Sequence, residues 1–186
     1  GERAEVGTLT GGAEHFHAWK EEAPVAGEER PQEELIRGLL APATLLDVLR
    51  TCTVYMDTDA GRRIKVTCRY QQYRAAKKIV ARLRAGGEGR SGVVWHTQGS
   101  GKSLTMVFVA RMLRAAADLQ DFKILLVNDR IDLEEQLTRT AKLIGGRVNV
   151  IESSAQLRKD LATATSDVNM VMVHKFQDRP QPLPPA

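Results

Sequence analysis

Thr97-Gln98-Gly99-Ser100-Gly101-Lys102-Ser103-Leu104 is the stretch of this chain whose residue types and spacing suit one particular chemistry, the holding of a row of phosphates. Glycines at 99 and 101 let the backbone curl so that successive N–H groups face anionic oxygens. A helix opening at Lys102 would add its positive N-terminal end, the lysine a charge for the outermost phosphates, and the Ser103 hydroxyl a ligand for Mg2+. In such a loop Thr97 and Gln98 matter more for their backbone than for their side chains. The full pattern of glycine, four residues and then Gly-Lys-Ser would place a glycine at position 96, where this chain has His96. A fortuitous Gly-Ser-Gly-Lys-Ser in an ordinary loop is the competing reading, and a strand before the loop with a helix after it weighs against that.

The surrounding pattern predicts those elements. Residues 92–96 read as a short buried strand, and residues 102–116 as a helix with Leu104, Val107, Phe108 and Met112 turned inward. Trp95 and Phe108 are accordingly expected in the core rather than as platforms for a stacked base. Upstream, Ala76, Ile79, Val80 and Leu83 share one face of a helix over 70–84 that Gly86-Gly87 should stop. Downstream come a strand at 123–127, a helix at 132–143, a strand at 148–151, a helix at 154–161 and a strand at 168–173. Asp132-Leu133-Glu134-Glu135 has the spacing of a helix cap and needs no catalytic role. Strands alternating with helices of this length predict right-handed crossovers and an α/β fold, a parallel sheet flanked by helices on both faces.

The first and last stretches do not read as core. Residues 1–34 mix glycine, charge and a Pro24 to Pro31 stretch rich in glutamate, with little periodicity. Residues 35–49 suggest helical turns interrupted at Pro42, and residues 54–56 and 64–68 flank the turn signal Asp59-Ala60-Gly61, so a hairpin is expected. The proline-rich run at 178–186 should be extended.

Composition is that of an ordinary globular chain, 42% hydrophobic and 27% charged over 186 residues, and no apolar run is long enough to cross a bilayer. A formal charge of +4 permits a polyanionic partner without demanding one. Cys52 and Cys68 have no metal-ligand spacing with each other or with His15, His17, His96 and His174, so no zinc is expected. The two cysteines read as reduced thiols, with pairing the alternative, and together with the lack of a signal-like N-terminal segment this suggests a cytoplasmic setting.

Residues 92–106, centred on the glycine loop, resemble the first helicase motif of the motor subunits of type I restriction-modification enzymes, which are superfamily 2 helicase-like ATPases. Arg69-Tyr70-Gln71-Gln72-Tyr73-Arg74-Ala75 is similar to the arginine-glutamine-alanine element those proteins carry just upstream. Asp129-Arg130-Ile131-Asp132-Leu133-Glu134-Glu135-Gln136-Leu137 resembles their next motif, and His174-Lys175-Phe176-Gln177 a later one. Glu5 to Thr10 and Phe16 to Lys20 are similar to the exit from the family's nuclease domain. In superfamily 2 motors the first position of the loop is commonly not glycine, so His96 fits.

The resemblance implies an incomplete P-loop NTPase, RecA-like: a remnant of a nuclease domain and a linker over 1–34, a connecting helix and hairpin over 35–61, and part of a first helicase domain over 62–186. It implies ATP and Mg2+ as ligands, held by residues 97–104 with Lys102 and Ser103 as the catalytic pair, and adenine read by the Gln72 amide, for which an exposed helical glutamine is the alternative. Arg130 and Lys175, each just after a predicted strand, would touch the DNA backbone, with a solvated surface charge the alternative for either. It further implies double-stranded DNA and the modification and specificity subunits as partners. The DExx box, the second motor domain and the nuclease motif are expected outside these residues, leaving the isolated chain inactive in hydrolysis. Two other readings stay open: another superfamily 2 translocase of the type III restriction or repair kind, and a nucleotide-binding module that never hydrolyses ATP.

Overall fold

A computed structural model describes residues 3–20, 30–58, 60–119, 122–129, 134–145, 148–163 and 168–173. The chain divides into two units, Gly1–Leu119 and Gln120–Ala186.

The first unit is built on two helices. Helix α3, Tyr70–Ala85, buries Gln72, Ala76 and Val80, one residue every four, which makes a single stripe along the helix. Helix α4, Lys102–Ala115, buries Thr105, Val107, Phe108, Ala110, Met112 and Leu113, and the two helices pack directly on each other. Ala76 at 0% exposure lets them approach closely, and Phe108, also at 0%, fills the unit's interior. Gly86 and Gly87 follow α3 with φ of 69° and 75°, a region that side-chain-bearing residues avoid, so the helix stops there as its sequence predicts. Before α3 lie α1, Pro31–Arg37, and α2, Pro42–Thr51. The break expected at Pro42 is the start of a new helix, where a missing N–H does no harm.

A hairpin joins α2 to α3. Strands β1, Thr53–Asp57, and β2, Arg63–Thr67, pair antiparallel from Thr53↔Thr67 to Asp57↔Arg63, and the Cys68 N–H extends the ladder to the Cys52 carbonyl at 3.0 Å. Both cysteines are free and buried. The outer edge of β2 is covered by the N-terminal segment. The Thr8 hydroxyl donates to the Lys65 carbonyl, and the Lys65 N–H donates to Thr10 Oγ1 at 2.7 Å. Val6 and His17 form an antiparallel bridge, and Trp19, only 4% exposed, packs on Tyr73 with ring centroids 5.8 Å apart. The segment up to Lys20 is therefore part of the folded unit, against the expectation that the first stretch lies outside any core.

The second unit is a parallel sheet with crossovers. Strands β3, Ile124–Asn128, β4, Val148–Ile151, and β5, Val168–Met172, are separated in sequence by α5, Glu134–Lys142, and α6, Ser154–Ala162. The sheet order is β3-β5-β4, with Ile124 and Val148 both paired to Val168. Central β5 is buried at all five positions, as a strand covered on both faces must be. Its one polar residue, Asn169, accepts from Asn149 Nδ2 at 3.3 Å across the register pair. Ser153 caps α6 by accepting from the Gln156 N–H at 3.2 Å. All three of these strands, and the helices between them, fall where the sequence places them.

The strand expected at 92–96 does not form. No ladder pairs these residues, and Val93 and Trp95 are 91% and 89% exposed, so Trp95 is not core here. A strand is defined by its neighbour's hydrogen bonds, and among the described residues 92–96 have no such neighbour. Phe108, by contrast, is buried as expected.

Truncating Phe108 leaves a cavity where its fully buried ring stood. Phe108→Ala should lower the unfolding free energy of this unit by about 3–5 kcal/mol, whereas Leu9→Ala, at a fully exposed site, should be neutral. Urea titration of both variants checks the difference.

Candidate phosphate-binding loop

Loop 97–101 folds around two left-handed glycines. Gly99 and Gly101 have φ of 75° and 79°. Between them Ser100 turns back on Thr97, its N–H and its hydroxyl both donating to the Thr97 carbonyl, at 3.3 and 2.7 Å. Helix α4 begins at the next residue. No side chain caps it, and no acidic residue stands in its first turn. The Thr105 N–H is the first to find an acceptor in the helix pattern, the Gly101 carbonyl at 3.1 Å. The N–H groups of Lys102, Ser103 and Leu104 precede it and have no acceptor within the helix, which leaves a positive end suited to an anion.

Lys102 arches over this end. Its ammonium donates to the carbonyls of His96 at 3.1 Å and Thr97 at 2.9 Å, and the side chain is exposed. Ser103 and Leu104 are half-buried, while Thr97, Gln98 and Gly99 are exposed. The residues expected to hold phosphate are thus brought together in one turn. The neighbouring segment 92–96 runs beside α3 and encloses a cleft of about 730 Å3 lined by Tyr70, Arg74, Lys78, Arg82, Arg90 and Trp95, with no acidic side chain among the described residues of its walls. The ring nitrogen Nδ1 of His96 is buried without a partner.

Gln72 is turned into the loop in this structure. It is 3% exposed, and its Oε1 accepts from the Arg69 N–H at 2.8 Å. Its Nε2 donates to the carbonyls of Ser100 and Gly101, both at 3.1 Å. Both of its amide atoms thus have partners within the chain. Arg130 and Lys175 lie outside the described residues.

Some contacts around the site carry no signature in the sequence. Asp47 on α2 accepts from the Tyr73 hydroxyl at 2.9 Å and pairs with Lys77 at 3.1 Å, which ties α2 to α3. Burial first, and the hydrogen bond from Asp47 second, push the Tyr73 phenol well above its ordinary range. Arg69, just before α3, donates to His17 Nε2 at 3.2 Å. These partners are decades of residues apart, so spacing gives no hint of them.

The SWI2/SNF2 ATPase family matches residues 71–184, from the first turn of α3 through the loop and the parallel sheet. The chain belongs to the SWI2/SNF2 ATPase family. Membership of this family implies the use of ATP. The chain is also similar to the type I restriction enzyme HindI endonuclease subunit of Haemophilus influenzae, 34% identical over 93% of this chain and 18% of that protein. It is similar to a type I restriction enzyme endonuclease subunit of Staphylococcus aureus strain COL, 29% identical over 77% of this chain and 15% of that protein. It therefore spans less than a fifth of the length of either relative. Among the described residues of this ATPase segment, no helix is long and apolar enough to cross a membrane.

The His17–Arg69 contact predicts a pH dependence. Partial burial, and then the Arg69 charge, hold the His17 pKa below its ordinary 6.5. The folded state thus favours neutral imidazole, and the unfolded chain takes up a proton first. The stability this contributes is present above about pH 6.5 and is lost as the pH falls below it. His17→Gln should flatten that part of the profile, seen by comparing denaturant midpoints at pH about 7.5 and about 5.5.

Proposed function

We propose that this chain is the ATP-binding part of the motor subunit of a type I restriction endonuclease, which couples ATP hydrolysis to DNA translocation and cleavage. The observation that carries the reading is the loop. Two left-handed glycines, an uncapped and acid-free helix start, and an ammonium arched above it form a cradle for a triphosphate. Similarity to two endonuclease subunits of type I restriction enzymes supports assigning the cradle to that kind of motor.

In this reading Thr97 to Gly101 and the first amides of α4 surround the phosphates. Lys102 exchanges its two carbonyl partners for phosphate oxygens, and Ser103 supplies a hydroxyl to Mg2+. That ion would neutralise charge developing on the transferred phosphoryl group. Arg130 and Lys175, which follow β3 and β5 in sequence, would contact the backbone of duplex DNA. Modification and specificity subunits would be the protein partners.

Phosphoryl transfer also needs carboxylates that orient water and complete the metal site. The 186 residues contain no adjacent Asp-Glu pair. We therefore propose that the chain holds Mg-ATP without turning it over at a rate above background.

Lys102→Ala removes the charge and leaves the core untouched. It should weaken Mg-ATP binding by about 10- to 150-fold, the worth of hydrogen bonds to a charged group, with an unchanged unfolding midpoint. Calorimetric titration of the purified chain beside a denaturant curve tests this. Near-normal binding by Lys102→Ala, or DNA-stimulated phosphate release that Lys102→Ala abolishes, would refute the respective halves of the reading.

A further inference from the structure

We propose that residues 5–20 form an intrachain clamp on the start of α3, so that docking of this segment and occupancy of the phosphate loop by nucleotide strengthen each other. The proposal rests on the reading of residues 97–103 as a nucleotide site.

The segment is folded back on itself and reaches α3 with one of its two legs. Val6 and His17 exchange both backbone hydrogen bonds, the Val6 N–H donating to the His17 carbonyl at 2.8 Å and the His17 N–H to the Val6 carbonyl at 2.9 Å. Beyond that bridge one leg lies on β2, where the Thr8 hydroxyl donates to the Lys65 carbonyl and Thr10 Oγ1 accepts from the Lys65 N–H. The other leg lies on α3. His17 Nε2 accepts from Arg69 Nε at 3.2 Å, Trp19 packs on Tyr73 with ring centroids 5.8 Å apart, and the Lys20 carbonyl accepts from Arg74. Arg69 is the N-cap of α3, and Tyr73 and Arg74 are its fourth and fifth residues.

The same stretch of α3 stands against the loop. Gln72 follows Arg69 by three residues and donates to the carbonyls of Ser100 and Gly101 at 3.1 Å. That contact requires α3 to begin where it does. So does the approach of the same side chain to the base of a nucleotide, the role that the family resemblance implies for it. A segment that holds Arg69, Tyr73 and Arg74 therefore bears on the nucleotide site without touching it.

The attachment is light enough to open by itself. Trp19 is the one buried residue among the described residues 3–20, and Leu9, in the turn between the legs, is fully exposed. A segment anchored by a single buried side chain opens locally at a smaller cost than a helix core. A ligand that binds better when the segment is docked shifts the balance toward docking. The coupling is reciprocal, so the factor by which docking tightens nucleotide equals the factor by which nucleotide tightens docking.

The amides of Val6 and His17 close the bridge and report docking directly. Their hydrogen exchange is followed by NMR in the full chain, with and without saturating Mg-ATP. The Phe108 amide in α4 serves as the core reference, and Lys102→Ala as the control for the site. Without nucleotide both bridge amides should exchange faster than Phe108. Saturating Mg-ATP should slow both by a common factor of about 5- to 150-fold, the usual range for coupled sites. At that concentration Lys102→Ala should lose most of the protection. Trp19→Ala removes the anchor and should weaken Mg-ATP in calorimetric titration by the same factor that nucleotide imposes on exchange. Trp19→Phe, which keeps a ring on Tyr73, should restore most of the affinity.

Unchanged exchange at Val6 and His17 under Mg-ATP that binds would overturn the proposal and leave the loop assignment standing. Equal rates and equal protection at Val6, His17 and Phe108 would do the same, because the segment would then open only with the whole unit. Wild-type affinity in a folded Trp19→Ala would count equally against it. Absence of Mg-ATP binding, or binding that survives Lys102→Ala undiminished, would sink the loop assignment and the proposal together. Where Trp19→Ala does not fold, the exchange measurement on the wild-type chain decides alone.

Discussion

The conformation of Gly101 is the constraint on which the first unit depends. This residue must hold φ near 79° so that the chain can leave the glycine turn and enter α4 without a gap. Its carbonyl takes three donors, and the position of its absent Cβ is filled by an amide from another helix. Any side chain there would meet both a backbone penalty of about 1–2 kcal/mol and a steric one. Helix α4 can start at Lys102 only because the preceding residue is glycine. The packing of α3 on α4 can place Gln72 beneath the turn for the same reason. Core and site are set by one residue's freedom.

Elements whose existence depends on local pattern were legible in the sequence. The i, i+4 stripe of α3, the glycines that end it, and the buried run of β5 each follow from residues close together in the chain. The glycine loop was legible because its chemistry is local as well: five consecutive residues specify a turn, a charge and a helix start. The loop's supports were not. Gln72 shares its stripe with Ala76 and Val80, so it could be recognised as facing inward, yet nothing in the spacing says that it reaches Ser100 and Gly101. Trp19 lies in a stretch with no periodicity, and its burial against Tyr73 comes from a bridge between Val6 and His17 that no propensity encodes. Residues 92–96 show the converse. Their β-branched and aromatic types favour a strand, but strand formation is a property of pairs, and burial of Trp95 cannot be inferred from Trp95 alone.

The electrostatics of the first unit divide along the same line. Acidic residues are engaged away from the loop: Asp47 with Tyr73 and Lys77, Asp57 with Arg63, and Asp118 with Arg84. These pairs are largely exposed and contribute little stability. They do satisfy carboxylates at a distance from the start of α4, whose first turn carries none. The helix end and the lysine are therefore not neutralised from within the chain's own first turn. The cleft between α3 and residues 92–96 has arginines and a lysine on its walls and, among the described residues, no carboxylate.

Lys102 and Gln72 both donate to carbonyls of the same loop, and the difference in their surroundings gives them different work. Lys102 is exposed, its two carbonyl bonds compete with water, and exchanging them for bonds to anionic oxygens requires only rotation of a flexible chain. Gln72 is enclosed, and moving it would take a donor from the Ser100 carbonyl and an acceptor from the Arg69 N–H, while the Gly101 carbonyl would keep Thr105. Each such unsatisfied group costs about 1–3 kcal/mol, more than a single new contact with a ligand returns. An exposed charge can follow its ligand, whereas a buried amide can only fix what surrounds it. A loop that grips phosphates, as proposed for this one, can use both kinds of group. One stays still and holds the loop's backbone, and the other could move so that its charge meets an anion.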